Sequence, residues 1–326
     1  MAEAPLLEVT DLKVEISTKA ASFFPVNGHS FTVRAGETLG IVGESGSGKS
    51  MTAMSLARLL PKHAAHIRSG SVKLDGRELL TLSEPEMRRV RGKEIAMILQ
   101  DPQTSLNPVF TVGEQISEAL RLHAPGPRRT LRERAIDALR KVKVAAPEHR
   151  VDAYPSELSG GMRQRVVGAI AISCQPKIII ADEPTTSLDV TVQAQYLRLL
   201  REMQDETGMA ILFITHDFGI VANLCHRIAV MYFGRIVESG PVDKIFARPA
   251  HPYTEALIAA LPKLRGQQGR LRTITGQPPV PTDQIAGCPF APRCEYADAR
   301  CRSELPPSVD ADSAGDHSAS CWKVDR

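Results

Sequence analysis

Between Gly43 and Ser50 the chain reads Gly43-Glu44-Ser45-Gly46-Ser47-Gly48-Lys49-Ser50, with Met51 next. Glycines at this spacing let the backbone curl until successive N–H groups face one anion, and a following helix adds its N-terminus. Lys49 can reach β and γ phosphates, and the Ser50 hydroxyl can ligate Mg²⁺. A second group sits at the ends of apolar runs. Lys177-Ile178-Ile179-Ile180-Ala181 leads into Asp182 and Glu183. The first carboxylate can hold Mg²⁺ and the second can polarise an attacking water. Gln100 follows the run Ile95 to Leu99, and its amide can contact Mg²⁺ or water. His216 follows Ile211 to Thr215, where it can bond a γ-phosphate or orient the carboxylate and its water. Each of these last groups, taken alone, is more often a structural strand end. The phosphate loop upstream and the spacing of the whole series favour hydrolysis of a bound triphosphate. A third group is Cys288, Cys294, Cys301 and Cys321 near the C-terminus, while Cys174 and Cys225 stand apart. Four thiolates suit tetrahedral Zn²⁺ or an iron-sulfur cluster, at spacings wider than the paired two-residue gaps of common zinc ribbons.

These side chains need elements to hold them. The opening LLEVTDLKVEI reads as an edge-forming β segment. HSFTVRAGETLGIVG reads as a short strand, a turn at Ala35-Gly36 and a buried strand ending at the phosphate loop. MTAMSLARLL then has helical composition, and SGSVKLDGRELL, with its Asp-Gly pair, predicts a hairpin. From about Gln100 to Gln164 the texture is helical: VGEQISEALRLH and RTLRERAIDALRKVKV are amphipathic and are separated by the breaker-rich APGPRR. Lys177 to Ala181 and MAILFITHD read as strands covered on both faces, with VQAQYLRLLREMQDE as the helix between them. After about Gly240 come breakers, then PVDKIFARPAHPYTEALIAALPKL, TGQPPVP and the cysteines.

The chain has 326 residues, enough for one substantial core and a smaller appendage. Its 43% hydrophobic and 24% charged residues are the balance of a soluble globular protein. A formal charge of +3 gives no general reason to expect nucleic acid. The arginines at 128, 129, 132 and 134 read as a solvated helix face. No run approaches the roughly 18 apolar residues that a membrane helix needs. The acidic first residues lack the basic start and apolar core of a secretory signal, so the chain is expected to stay in the cytosol.

Leu158-Ser159-Gly160-Gly161-Met162-Arg163-Gln164-Arg165, upstream of KIIIADEP, resembles the signature of the ATP-binding cassette (ABC) family. With the phosphate loop, Gln100, Ser187-Leu188-Asp189 and His216, the resemblance covers roughly residues 6 to 250. It implies an α/β P-loop NTPase core with a β subdomain, an inserted helical signature subdomain at about 100–165, and a small C-terminal extension at 251–326. In that family two cassettes dimerise head to tail, and each ATP lies between one chain's phosphate loop and the other's signature. The resemblance therefore assigns Ser159, Gly160 and Gly161 to the partner's nucleotide and Asp189 to communication across the dimer. It makes Glu183 the general base and His216 the γ-phosphate sensor, with Lys49 and Gln100 assisting. Ser50, Gln100 and Asp182 are the implied Mg²⁺ contacts, and Met51 closes the loop. An aromatic residue upstream stacks on adenine, for which Phe23 and Phe24 are both candidates. Met162 stands where many members carry glutamine.

Asn107 and Pro108 resemble the segment that faces the membrane subunits. Arg248-Pro-Ala-His-Pro-Tyr-Thr-Glu255 resembles the C-terminal extension of the oligopeptide, dipeptide and nickel importer branch. That branch implies a second, different ATPase subunit, two permeases and an extracytoplasmic substrate-binding protein, with this chain peripheral on the cytoplasmic face of the membrane. Peptides are the expected cargo; nickel, glutathione-like compounds and sugars are alternatives. Within the branch, the cysteine segment 288–321 resembles one that holds a 4Fe-4S cluster, with zinc or unliganded thiols as alternatives. Two other classes stay open: a cassette ATPase acting on ribosomes or nucleic acid, which the tail argues against, and a catalytically silent regulatory module. Intact Lys49, Asp182, Glu183 and His216 argue against the second.

Overall fold

A computed structural model of the chain describes residues 4–19, 21–186, 188–261 and 274–324. The strands, in chain order, are β1 (Leu7–Ser17), β2 (Ser22–Val33), β3 (Thr38–Val42), β4 (Ala65–Leu74), β5 (Arg77–Glu78), β6 (Ile95–Ile98), β7 (Ile178–Asp182), β8 (Ala210–Thr215), β9 (Arg227–Tyr232), β10 (Arg235–Pro241), β11 (Val309–Asp310) and β12 (Ser318–Ala319). The chain forms two compact units. Of the described residues, residue 4 and those within 34–37 and 81–214 form one, and those within 5–33, 38–80 and 215–324 form the other.

The second unit contains the phosphate loop and the C-terminal tail. Its antiparallel sheet runs β2-β1-β4-β5. The sequence suggested an edge position for β1, but β1 pairs with β2 on one side and β4 on the other. Leu7, Val9, Leu12 and Val14 are all buried, and a strand this apolar is better covered by two neighbours than left with an open edge. The expected hairpin forms between β4 and β5, with Asp75 and Gly76 both at positive φ in its two-residue turn. The turn at Ala35-Gly36, which belongs to the first unit, is present too. In the second unit β3 pairs in parallel with β9, and β9 and β10 form an antiparallel pair that the sequence reading did not identify. The short β11 and β12 extend β10. Val42, Val230, Tyr232, Tyr253 and Phe290 share one apolar core with Cys288 and Cys294 packed against it, so the tail is built into this core.

In the first unit β6, β7 and β8 pair in parallel, with Ile98 opposite Ala181 and Asp182 opposite Ile214. All five residues of β7 and all six of β8 are buried, as expected of parallel strands with both faces covered. The helices Val112–His123, Arg128–Lys141 and Gly160–Ile172 belong to this unit, and Val190–Thr207 connects β7 to β8. The first of them starts with a reciprocal cap: Thr111 N–H donates to the Glu114 carboxylate at 2.8 Å, and Glu114 N–H donates back to the Thr111 hydroxyl. Among the described residues no helix is long and apolar enough to cross a membrane.

Candidate functional site

The phosphate loop joins β3 to the helix Lys49–Leu56. At Gly43 a Cβ would lie 2.1 Å from the Met231 carbonyl oxygen, and at Gly48, with φ 104°, 1.9 Å from that of Pro25. Only glycine fits at either place. Lys49 is 5% exposed, and its Nζ donates to the carbonyl oxygens of Gly43 at 2.8 Å and Glu44 at 3.0 Å. The ammonium group thus sits inside the curl where phosphate charge would be held. Ser47 Oγ is buried with no hydrogen-bond partner among the described residues, which suits a site that takes up acceptor oxygens from a ligand. Beside the loop is a groove lined by Phe23, Phe24, Glu44, Ser45, Gly46, Ser47, Tyr232 and the tail residues Pro278 to Pro281. Phe23 is half-buried and Phe24 is 43% exposed; both reach this groove, so both remain suited to a base.

Two residues of the tail hold the loop, and the sequence reading missed their part. The Glu44 N–H donates to Tyr253 Oη at 2.9 Å. Arg293 clasps the Glu44 carboxylate with Nη1 at 2.7 Å and Nη2 at 3.1 Å, and its Nη1 also donates to Tyr232 Oη at 3.3 Å. The Arg293 side chain is 5% exposed, and the Glu44 contact holds its protons more tightly than usual. Tyr253 lies in the HPY segment and Arg293 inside Cys288-Pro-Phe-Ala-Pro-Arg-Cys294, but nothing in either motif names the loop as its partner. A buried carboxylate, Glu238, anchors the same tail by accepting from the Ala250 and His251 N–H groups at 2.7 and 2.9 Å.

In the other unit, Asp182 ends β7 and is 5% exposed. Glu183 follows with φ 46°, a left-handed conformation that a glutamate adopts only when its surroundings impose it. Its N–H donates to the Ile214 carbonyl at 2.9 Å, which fixes the turn. Glu183 Oε2 accepts from Gln100 Nε2 at 3.3 Å and from Thr186 Oγ1 at 3.1 Å. The structure therefore brings Gln100 and Glu183 together, 83 positions apart in sequence. His216 is exposed just beyond β8. Asp189 caps the helix Val190–Thr207 by accepting from the Thr191 and Val192 N–H groups at 3.1 and 3.0 Å, a local duty the sequence reading did not assign. Ser187 lies outside the described residues. Ser159 caps the helix Gly160–Ile172, and Ser159 and Gly160 are exposed.

Cys288, Cys294, Cys301 and Cys321 line a single pocket with His251, Phe290 and Trp322. Burial pushes the Cys288 thiol up to about 11, and charge on Cys321 and Cys294 acts in the same direction. Among the described residues no three His, Cys, Asp or Glu side chains converge closely enough to hold a metal ion.

Residues 26–186 match the model of the ABC transporter family, and residues 237–301 match that of the oligopeptide/dipeptide transporter C-terminal region. A relative from Sinorhizobium fredii, named "Probable peptide ABC transporter ATP-binding protein", is 50% identical over 319 residues, covering 98% of this chain and 95% of its own. Among solved structures, a dimeric ATP-binding cassette in a post-hydrolysis state bound to ADP and phosphate aligns with TM-score 0.65 and 25% identity, covering 72% of this chain and 98% of its own. A cassette from Clostridium perfringens, part of an ABC transporter complex, aligns with TM-score 0.64 and 28% identity, covering 75% and 92%. The chain belongs to the ABC transporter family, as one of its ATP-binding, ATP-hydrolysing cassettes.

Proposed function

We propose that this cassette powers import of oligopeptides or dipeptides, as a peripheral subunit on the cytoplasmic face of the membrane. The observation that carries this reading is the tail: residues 237–301 match the C-terminal region of oligopeptide/dipeptide transporters. The proposed complex contains a second ATPase subunit, two permeases and an extracytoplasmic binding protein. The exposed Val109 and Phe110, next to Asn107 and Pro108, supply an apolar surface for the permeases. Functionally, residues 6–250 are the cassette and 251–326 the importer-specific extension.

In this reading the curled loop from Gly43 to Ser50 binds the phosphates, and Lys49 exchanges its two loop carbonyls for phosphate oxygens. Ser50, Asp182 and Gln100 would hold Mg²⁺, which would supply charge neutralisation at the phosphates. Glu183 is the base that takes a proton from water, and the Gln100 and Thr186 donors to its Oε2 orient the carboxylate as a whole. His216 contacts the γ-phosphate. Ser159, Gly160 and Gly161 complete the partner cassette's site.

For the four cysteines the preferred reading is a 4Fe-4S cluster, with zinc or unliganded or disulfide-linked thiols as alternatives. All four line one pocket, and what supports a cluster is the resemblance of the cysteine segment to one in this importer branch. Such a cluster would supply a rigid cross-link among the four segments that carry the cysteines.

The test is to purify the chain with its permeases and measure ATP hydrolysis with peptide-loaded binding protein. Severalfold stimulation by loaded over empty binding protein is expected. A complete complex whose hydrolysis ignores every peptide-loaded binding protein would overturn peptide import.

A further inference from the structure

A glutamate inside a loop that must gather triphosphate charge is an electrostatic liability. Glu44 is the second residue of that loop, its carbonyl is bonded to Lys49 Nζ, and its carboxylate is only partly buried. Left alone, that carboxylate repels each phosphate the loop attracts, and the repulsion grows as binding excludes water. The chain supplies its own answer from a segment 249 positions away. Arg293 meets both carboxylate oxygens at once, the fork geometry that gives the strongest and most directional ion pair available to side chains. The guanidinium is itself fixed. Its Nε donates to the Thr275 carbonyl at 3.2 Å, and it lies 5.9 Å from the ring centres of both Tyr232 and Phe290. Tyr253, from the same tail, accepts the Glu44 N–H and so holds the backbone at the same residue.

We propose that Arg293 is a positioning residue for ATP: by neutralising and orienting Glu44 it makes the phosphate loop competent to bind the triphosphate, so the C-terminal tail is part of the nucleotide site. The inference rests on reading Gly43–Ser50 as the ATP phosphate loop. It adds that this loop is incomplete within the cassette alone. Because Arg293 immediately precedes Cys294 and packs on Phe290, which also lines the cysteine pocket, it joins the packing around the cysteines to the loop.

The experiment is equilibrium titration of the full-length chain with Mg·ATP, together with KM and kcat for hydrolysis. Arg293→Gln is expected to weaken ATP binding roughly tenfold, the usual range for losing a charge-assisted hydrogen-bonded pair. KM should rise and kcat change little. Arg293→Lys, which keeps the charge but not the fork, should recover only part of the loss. The decisive variant is the double change Arg293→Gln with Glu44→Gln. If Arg293 acts by neutralising Glu44, removing that carboxylate restores most of the lost affinity, which repair of a merely structural contact would not do. Melting temperatures establish that each variant is folded, and should Arg293→Gln fail to fold, Arg293→Lys and the double variant still carry the test. Arg293→Gln binding ATP within twofold of the wild type, or a double variant no better than Arg293→Gln, would overturn the proposal. Failure of the wild-type chain to bind Mg·ATP at all would instead strike the reading of the loop.

Discussion

Two helices of this chain begin beside glycines in segments with nucleotide chemistry, and their surroundings are opposite. At Lys49–Leu56 the loop that leads into the helix is tied down by its own chain at several points. Lys49 is buried against two loop carbonyls, the Gly234 N–H donates to the Ser47 carbonyl at 2.9 Å, and the tail fastens Glu44 through Tyr253 and Arg293. At Gly160–Ile172 only the Ser159 hydroxyl caps the helix, accepting weakly from Met162 at 3.4 Å. Gly160 is exposed, and a Cβ there would meet nothing within 4 Å. The first N-terminus has been shaped from within its own chain. The second has room left where glycine is the residue present, as expected if something outside the chain comes close to it.

The largest effect that sharpens this contrast is expected from Glu183→Gln. The substitution keeps the shape of the turn but removes the base, so turnover should fall by about 10² to 10⁴ while ATP binding persists. Trapped ATP should then hold two cassettes together, and ATP-dependent association should appear by size-exclusion chromatography of the assembled ATPase pair. Undiminished hydrolysis would refute Glu183 as base. A smaller effect is expected from Gly160→Val. With open space around Gly160, the melting temperature should barely move. Steady-state hydrolysis by the dimer should fall roughly tenfold, the cost of losing about one good contact at the second N-terminus. Equal hydrolysis by variant and wild type would break the contrast, because it would mean that nothing approaches Gly160.

The difference between these two regions also explains what could be read from sequence. A phosphate loop is local: glycines, lysine and serine at fixed spacing carry their chemistry with them, so Gly43 to Ser50 could be read as one unit. The parallel strands β7 and β8 were equally clear, because burial on both faces writes a continuous apolar run. Contacts with long sequence separation left no such mark. The Gln100–Glu183 bond was foreseen only as two separate strand ends, and the Arg293–Glu44 clasp was not foreseen at all, since each member looks like an ordinary surface charge until the fold joins them. β1 was misplaced to an edge because period-two alternation reports which face is buried and says nothing of how many strands flank it. β9 and β10 went unread among the breakers that follow β8. The local capping duty of Asp189 was hidden behind its family role.

Acid offers the gentlest test of the strand that supports the first N-terminus. His29 is buried in β2, whose Asn27 N–H donates to the carbonyl of Gly234, the same residue whose N–H supports Ser47. Burial lowers the His29 pKa to about 4, with Arg235 adding to the effect against an opposing backbone contact at Gly234. An unfolded histidine titrates near 6.5. Above that value neither state is charged, and the full stability is present. As pH falls from about 6.5 toward 4 the unfolded chain takes up a proton that the folded chain refuses, so stability drops by about 1.4 kcal/mol for each pH unit. Between pH 7 and pH 5 this one residue should remove about 2 kcal/mol, and His29→Leu should abolish that part of the fall whatever its own effect at pH 7. Urea midpoints for both proteins at the two pH values measure it. If wild type and variant lose stability equally, the acid sensitivity lies elsewhere; if the variant is spared, the buried His29 carries it.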